Sequence, residues 1–376
     1  MKLRPLTIDS QWLSRFRTRL TTWYEKNQRS LPWRDTHDPY FIWISEIMLQ
    51  QTQVATVLPY YRRFIEQFAS IEALAQAEET EVLKLWEGLG YYRRARQLHA
   101  AARQMVEQFS GRFPTDFDKV LSLPGIGRYT AGAICSFAYD QATPIVEANT
   151  QRLYARLLKL TEPLSDRESQ TAMWDFAQKI LPSTNARRIN QAVMELGSLV
   201  CQPKPQCDLC PLQVLCPTFA NGLQSKIPIA KKKTPYEVRH EAALIVANSK
   251  NQFLIRQCGP DEWWSGLWDF PRFEIAPTSD DGLRAQEINS KARQLFGIIC
   301  SAKSPLFTVK HSVTKYRITL TCYEAKRASR MTNAIKQLNA DTSQTNRWVS
   351  LAELDAIPLS ASGRRVVKAL QKPGHP

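Results

Sequence analysis

Residues 121–138 read LSLPGIGRYTAGAICSFA. A helical pattern ends near Leu123, Pro124 to Gly127 make a tight turn, and a second helix begins by Thr130. Gly125 and Gly127 carry no Cβ, so the backbone N–H groups of the turn can come close to an anion. The N-terminus of the following helix adds a positive dipole at the same place. Glycine turns also serve as plain connections between helices. What tips the reading toward phosphate is the whole chain, whose net charge of +15 points to a polyanionic partner. On that reading the segment is a helix-hairpin-helix unit that grips DNA phosphate, set in a mostly helical domain.

Working outward, residues 1–222 keep apolar side chains at helical spacing, as in Ile71, Leu74, Val82, Leu83, Leu85 and Trp86, and show little strand alternation. Residues 223–236, LQSKIPIAKKKTPY, place Pro228 and Pro235 around Lys231, Lys232 and Lys233, and read as a basic extended linker. Strand patterns follow in AALIVAN (242–248), QFLIRQ (252–257) and YRITLTCYE (316–324), with helices near 282–296 and 359–371. That is an α+β domain over 237–372. A chain of 376 residues, 43% of them hydrophobic, has material for two cores. Its start, MKLRPLTIDS, lacks the apolar stretch of a signal peptide, and no apolar run nears the ~18 residues of a membrane span. The expectation is a soluble, monomeric, cytoplasmic protein, nucleoid-associated in a bacterium, with no membrane partner.

Three segments could carry chemistry. In LPWRDTHDPYFIWISEIMLQQTQV (31–54), Asp38 suits an N-cap and Pro39 the first helical position. The helix that follows is apolar nearly all round, so Glu46 is predicted to be buried. Burial raises a carboxyl pKa, which is what a general acid needs near neutral pH. The plain alternative is a buried glutamate satisfied by hydrogen bonds. In PIVEANTQR (144–152), Glu147 and Asn149 are either a second catalytic carboxylate with its amide neighbour or a surface charge before a helix. In WEGLGYYRRARQLHAAAR (86–103), Gly88 and Gly90 break a helix and present Leu89, Tyr91 and Tyr92 beside Arg93, Arg94 and Arg96. Such a loop suits a wedge for a base stack, although a solvated basic helix with core aromatics accounts for part of it.

The fourth motif is CQPKPQCDLCPLQVLC (201–216), in which Cys201, Cys207, Cys210 and Cys216 are separated by five, two and five residues. Four thiolates so close can hold zinc or an iron–sulfur cluster. Zinc sites of this type usually use two Cys-x-x-Cys pairs, and only one is present; single ligands on short loops suit a 4Fe–4S cubane. Lys204 in this loop could face phosphate. The scattered Cys135, Cys258, Cys300 and Cys322 read as small buried hydrophobes in a reducing compartment.

The segments LPWR, SEIMLQQTQV, LWEGLGYYRRARQLH, LPGIGRYTAGAI and QAVMELGSLVC, followed by the cysteine cluster, occur in an order that resembles the endonuclease III superfamily of DNA glycosylases. Within it the chain resembles the MutY-type adenine DNA glycosylases over about residues 20–220. WWSGLWDFPRFE resembles the C-terminal Nudix-like domain with which such enzymes sense 8-oxoguanine. The resemblance implies a helix-hairpin-helix glycosylase domain over 1–222 with a 4Fe–4S cluster loop at 201–216, and an 8-oxoguanine recognition domain over 237–372. It implies double-stranded DNA holding 8-oxoguanine:adenine or guanine:adenine mispairs as the partner, and base flipping as the mode of access. It makes Glu46 the acid that protonates adenine N7, and Glu147 the carboxylate that stabilises the cationic sugar, as in a glycosidase pair. Asn149 matches the asparagine beside that carboxylate, and Tyr129 a tyrosine near the leaving base. Trp33, Arg34 and Glu195 match pocket residues, Glu195 at the flipped adenine edge; Gln51 and Tyr91 match residues that enter the stack.

Tyr129 also bears on the reaction. Relatives that cleave the strand carry a lysine there, which forms a Schiff base; a tyrosine leaves a monofunctional glycosylase and an abasic product. Three departures stand out. Glu-Ala-Asn replaces the usual Asp-Gly-Asn, the first cysteine interval is one residue short, and the 8-oxoguanine loop is reduced to His311, Ser312, Val313, Thr314 and Lys315. Thr314 keeps a hydroxyl, and Lys315 offers phosphate attraction in place of a specific contact. The helix GLRAQEINSKARQLFG has one glutamate, too few for the magnesium site of a working Nudix hydrolase. Two competing readings are a pyrimidine glycosylase and lyase of the endonuclease III kind, and a non-catalytic iron–sulfur DNA-binding protein.

Overall fold

The computed structural model describes residues 8–229, 235–296, 298, 305–326 and 346–372. Lys231, Lys232, Lys233 and Cys300 lie outside the described residues. Two compact units are present: Met1–Gln76 with Gln97–Lys232, and Ala77–Arg96 with Lys233–Pro376.

In chain order the helices up to the cysteine loop and just past it are α1 (Ser10–Asn27), α2 (Pro39–Leu49), α3 (Val54–Gln67), α4 (Ile71–Gln76), α5 (Glu79–Trp86), α6 (Arg93–Phe109), α7 (Phe117–Leu121), α8 (Arg128–Tyr139), α9 (Ala148–Leu158), α10 (Arg167–Lys179), α11 (Ala186–Leu199) and α12 (Pro217–Ala220). The first unit is built from these, except α5 and the first residues of α6. The amphipathic α1 buries Trp12, Phe16, Leu20 and Tyr24, four residues apart, on one stripe. By contrast α2 is wrapped on nearly every side: Tyr40, Ile42, Trp43, Ile44, Ile47 and Met48 are all buried. As the sequence predicts, Asp38 caps it by accepting the Tyr40 N–H at 2.8 Å, and Pro39 opens it. Between α7 and α8 lies the predicted hairpin, with Gly125 at φ +78° and Gly127 as the N-cap of α8. A side chain at residue 125 would be strained by that φ and would also press on Gln97, its Cβ 2.8 Å away.

The second unit holds a mixed sheet, seven-stranded among the described residues: β1 (Glu237–Ala247), β2 (Gln252–Gln257), β3 (Trp268–Asp269), β4 (Arg272–Ile275), β5 (Pro305–Val313), β6 (Tyr316–Lys326) and β7 (Asn346–Ser350). Its helices include α13 (Asp281–Phe296), α14 (Glu353–Ala356) and α15 (Ala361–Leu370). One edge of β1 runs parallel to β6, from Glu237 opposite Tyr316 to Ala247 opposite Lys326. Its other edge pairs antiparallel with β4 and then, at Ala247, with β2. Ala243 and Ile245 face a core with Val366, Val367 and Leu370 of α15; Ala242, Leu244 and Val246 face a second core with Ile288 and Ala292 of α13. Cover on both faces is why AALIVA is an unbroken apolar run rather than an alternating one. The turn into β2 is fixed by the Asn248 side chain, which accepts N–H bonds from Lys250 and Gln252.

Candidate active site

Glu46 sits on the fully packed α2 and is 4% exposed. Its Oε2 accepts the Tyr129 hydroxyl of α8 at 2.8 Å. Burial pushes the Glu46 carboxyl up to about 7; the Tyr129 hydrogen bond and Arg34 pull it down, and the nearby Glu147 pushes it further up. Burial, together with the charges of Glu46 and Glu147, lifts Tyr129 well above the usual phenol range, so it remains a donor. Glu46 lines a cavity of about 630 Å³ with Trp33, Arg34, Gln51, Asn149 and Glu195 among its other walls. That is room for a base.

Glu147 is the N-cap of α9. Its Oε1 accepts the Thr150 N–H at 2.9 Å, while the Thr150 hydroxyl accepts the Glu147 N–H at 2.8 Å. Its Oε2 accepts from Asn149 Nδ2 at 3.3 Å. Burial raises the Glu147 pKa, against hydrogen bonds from Asn149 and Thr150 that lower it. Of the two sequence readings, the charge before a helix is right in place but not in exposure: Glu147 is a half-buried helix cap whose second oxygen is held by Asn149. The hydrogen bonds run on: Asn149 Oδ1 accepts from Arg152 Nη2 at 2.9 Å, and Arg152 Nε donates to the Cys201 carbonyl at 2.7 Å. Of this pair of helices, α11 comes close enough to α9 that a Cβ at Gly197 would stand 2.8 Å from the Asn149 carbonyl. The cavity wall includes Ala148 and Asn149; Glu147, which precedes them in the chain, is not itself among the lining residues.

Glu195 on α11 is 0% exposed. Its Oε1 accepts the Arg29 N–H and Nε–H at 3.0 and 2.7 Å, and its Oε2 accepts from Arg29 Nη2 at 2.9 Å and from Arg34 Nη2. Burial opposes ionisation, but the two arginines outweigh it and hold the carboxyl down at about 2. Trp33 packs edge-on to Tyr61 at 5.0 Å. Gln51 is exposed at the cavity rim in left-handed backbone, φ +58°, a conformation uncommon for a residue other than glycine.

Cys201, Cys207, Cys210 and Cys216 line one small cavity with the apolar Leu153, Leu157, Val200, Leu212 and Phe219. Arg156 of α9 reaches this cavity, 3% exposed and ion-paired to no carboxylate among the described residues. It donates to Cys201 Sγ at 3.2 Å and to the carbonyls of Gln202, Pro203 and Ile227. Among the described residues no three His, Cys, Asp or Glu side chains are gathered as a single-ion site.

In the second unit Leu89 is 6% exposed, whereas its neighbour Tyr91 is 55% exposed with φ +50°. Thr314 is exposed at the turn between β5 and β6, also with φ +50°. His311 on β5 is half-buried beside Trp264 and Arg272, and burial with the Arg272 charge takes its pKa down to about 4. The single glutamate of α13, Glu287, accepts the Ala276 N–H and pairs with Lys291 at 2.8 Å.

Residues 44–179 match the HhH-GPD superfamily of base excision DNA repair proteins, and residues 242–369 match the NUDIX domain. An adenine DNA glycosylase of Buchnera aphidicola (subsp. Schizaphis graminum) is 37% identical over 272 residues, 72% of this chain and 78% of that protein. The chain belongs to the adenine DNA glycosylase family. A Mus musculus member of the family is 38% identical over 71% of this chain and 53% of its own. The structure of a thermostable thymine-DNA glycosylase superposes with a TM-score of 0.51 at 28% identity, covering 57% of this chain and 100% of that one. The helical glycosylase fold and the C-terminal Nudix-like fold are thus both present, as expected.

Several residues of this family member escaped the sequence. Arg29 and Arg187 act at a distance: Arg29 is 166 positions from Glu195, and Arg187 donates to the Arg34 and Thr36 carbonyls across the fold. Nothing local marks Arg29 as a pocket residue, or Arg187 as the tie that holds the Arg34 and Thr36 backbone. For Arg152 and Arg156 a signal existed, since two arginines one turn apart on the apolar-striped α9 must reach something inside, but their partner was not legible.

Proposed function

We propose that this chain removes adenine mispaired with 8-oxoguanine or guanine from double-stranded DNA, flipping the base into the 630 Å³ cavity and leaving an abasic site. The observation that carries the reading is Glu46: a carboxyl buried against Tyr129, raised to about 7, at the wall of a base-sized cavity. A carboxylic acid still protonated near neutral pH can give its proton to adenine N7 as the C1′–N9 bond breaks. Glu147, held by Asn149, then faces the cationic sugar with its charge. Trp33 supplies an aromatic wall, and Arg29 and Arg34, fixed by Glu195, supply donors for the ring nitrogens of adenine. Gln51 and Tyr91 enter the base stack. Both stand in left-handed backbone, and strain of this kind gathers at functional positions. Tyr91 is the presented ring, while Leu89 is buried. Gly125, Gly127 and the N-terminus of α8 take a phosphate. Thr314 and Lys315 at their hairpin tip meet the base opposite adenine, with His311 behind them.

The test is a duplex with one 8-oxoguanine:adenine pair. Adenine release without strand cleavage is expected, and borohydride should trap no adduct. Tyr129 has no amine with which to form a Schiff base, and no lysine is among the described residues that line the cavity. A trapped adduct overturns the monofunctional reading, and tight binding without release overturns the enzymatic one.

The four cysteines fit a 4Fe–4S cluster. All four line one cavity, and single ligands on short loops suit a cubane, which takes one cysteine per corner, better than a zinc site, which usually uses two Cys-x-x-Cys pairs. The buried Arg156 guanidinium needs negative charge beside it, and thiolate ligands provide it. When bound, such a cluster would cross-link a loop whose regular structure is two short 3-10 turns, Cys207–Leu209 and Gln213–Leu215. Purified protein is expected to contain about four iron and four sulfide per chain; one zinc and no sulfide would overturn the assignment.

A further inference from the structure

Tyr91 holds a backbone conformation that is an outlier for a bulky residue, and the loop around it is tied down from within and from outside. Within the loop, Trp86 Nε1 donates to the Gly90 carbonyl at 3.1 Å. Arg94 donates to the Leu89 and Gly90 carbonyls, its guanidinium 5.3 Å from the Trp86 ring and 5.5 Å from the Tyr91 ring. From outside, the loop is fastened to the C-terminal helices of the same compact unit. Glu87 accepts Arg364 Nε at 2.5 Å and Nη2 at 3.0 Å, a fork-to-fork pair that is largely buried on both sides. Arg364 on α15 also donates to the Leu354 and Ile357 carbonyls. Lys84 Nζ joins Glu87 to the Asp355 carbonyl. Tyr92 Oη accepts the Gly88 N–H at 3.3 Å and donates to the Leu359 carbonyl at 3.5 Å.

The next residue of α15 reaches the sheet: Arg365 Nη1 donates to the Lys310 carbonyl at 3.0 Å, directly beside His311 on β5. Adjacent arginines of one helix thus hold the Tyr91 loop and the strand that leads to Thr314. We propose that Glu87 and Arg364 are positioning residues that make insertion of Tyr91 depend on the strand facing the base opposite adenine, so that sensing the mispair and opening the stack are coupled through α15. The inference rests on the reading that Tyr91 enters the base stack. A bidentate, desolvated pair has the stiffness this requires, which a solvated Lys–Glu contact lacks.

The test is a double-mutant cycle on the full chain with a duplex carrying 2-aminopurine beside an 8-oxoguanine:adenine pair. Fluorescence reports opening of the stack, and single-turnover adenine release reports the outcome. Glu87→Gln is expected to lower both about tenfold, and to add nothing to either in a Tyr91→Ala background, which a general loss of stability would not reproduce. Reversing the pair, Glu87→Arg with Arg364→Glu, should recover part of the loss. If Glu87→Gln folds poorly, Arg364→Lys, which keeps the charge and loses the fork, is read the same way. A full Glu87→Gln effect in the Tyr91→Ala background overturns the coupling, and so does no effect while Tyr91→Ala is impaired. If Tyr91→Ala itself changes neither reading, stack insertion by Tyr91 fails first and the coupling falls with it.

Discussion

Glu46→Gln is expected to release adenine about a thousandfold more slowly than the parent chain, within the range for loss of a general acid, while binding the mispaired duplex as tightly. The amide fills the same volume and can still accept the Tyr129 hydroxyl, so the loss isolates the proton. In the parent chain, release should fall about tenfold per unit above pH 7, because the folded carboxyl titrates at about 7, and fall again in acid as Glu147, whose pKa burial raises, loses the charge that meets the sugar. Stability moves the opposite way from an ordinary acidic side chain. The folded pKa is raised above the 4.5 of an unperturbed glutamate, so the contribution is fully present below pH 4.5 and lost as pH rises through 7. An ionised Glu46 then costs on the order of 3 kcal/mol, which glutamine avoids. The variant should therefore match the parent in melting temperature near pH 4.5 and exceed it at pH 8. Equal melting at pH 8, or a pH-independent rate in the parent, would remove Glu46 from the role.

This pair of effects shows what a sequence can disclose. Asp38, Pro39 and the all-round apolar pattern were enough to bury Glu46, because a helix without a polar face has nowhere to put its glutamate but inside. The glycine turn at 125–127 was legible for a similarly local reason. The paired arginines on Glu195 were not, since the bonds link residues 161 and 166 positions apart and no periodicity reports a long-range ion pair. Short strands such as β3 and β4 escaped too: four residues or fewer carry no measurable alternation, and their pairing with β2 and β1 decides them. Glu147 lay between these cases. Its position before a helix was readable, but that one carboxylate both caps α9 and leads through Asn149 and Arg152 to Cys201 needed the fold.

That double duty shapes what substitution should do there. Glu147→Gln keeps an oxygen for the Thr150 N–H, and the reciprocal bond from the Glu147 N–H to the Thr150 hydroxyl does not involve the side chain at all. The cap and the melting temperature should largely survive; what is lost is the negative charge and, because the new amide NH2 meets a donor, the acceptor for Asn149 Nδ2. Since that charge is proposed to meet the cationic sugar, adenine release is expected to fall about a thousandfold. Glu147→Asp inverts the comparison. Aspartate caps at least as well and keeps its charge, but it withdraws the oxygens by about one carbon–carbon bond, ~1.5 Å. A displacement of that size at a reacting centre costs roughly a hundredfold. Here Ala148 restricts the backbone more than a glycine would, so the main chain cannot readily move forward to compensate. Glu147→Asp combined with Ala148→Gly should recover much of the loss, because the freed backbone can bring the shorter side chain up to the sugar. Wild-type turnover in Glu147→Gln would hand the stabilising charge to another residue. No recovery in the double variant would mean that the reach of Glu147, rather than the stiffness at Ala148, is what this site was built around.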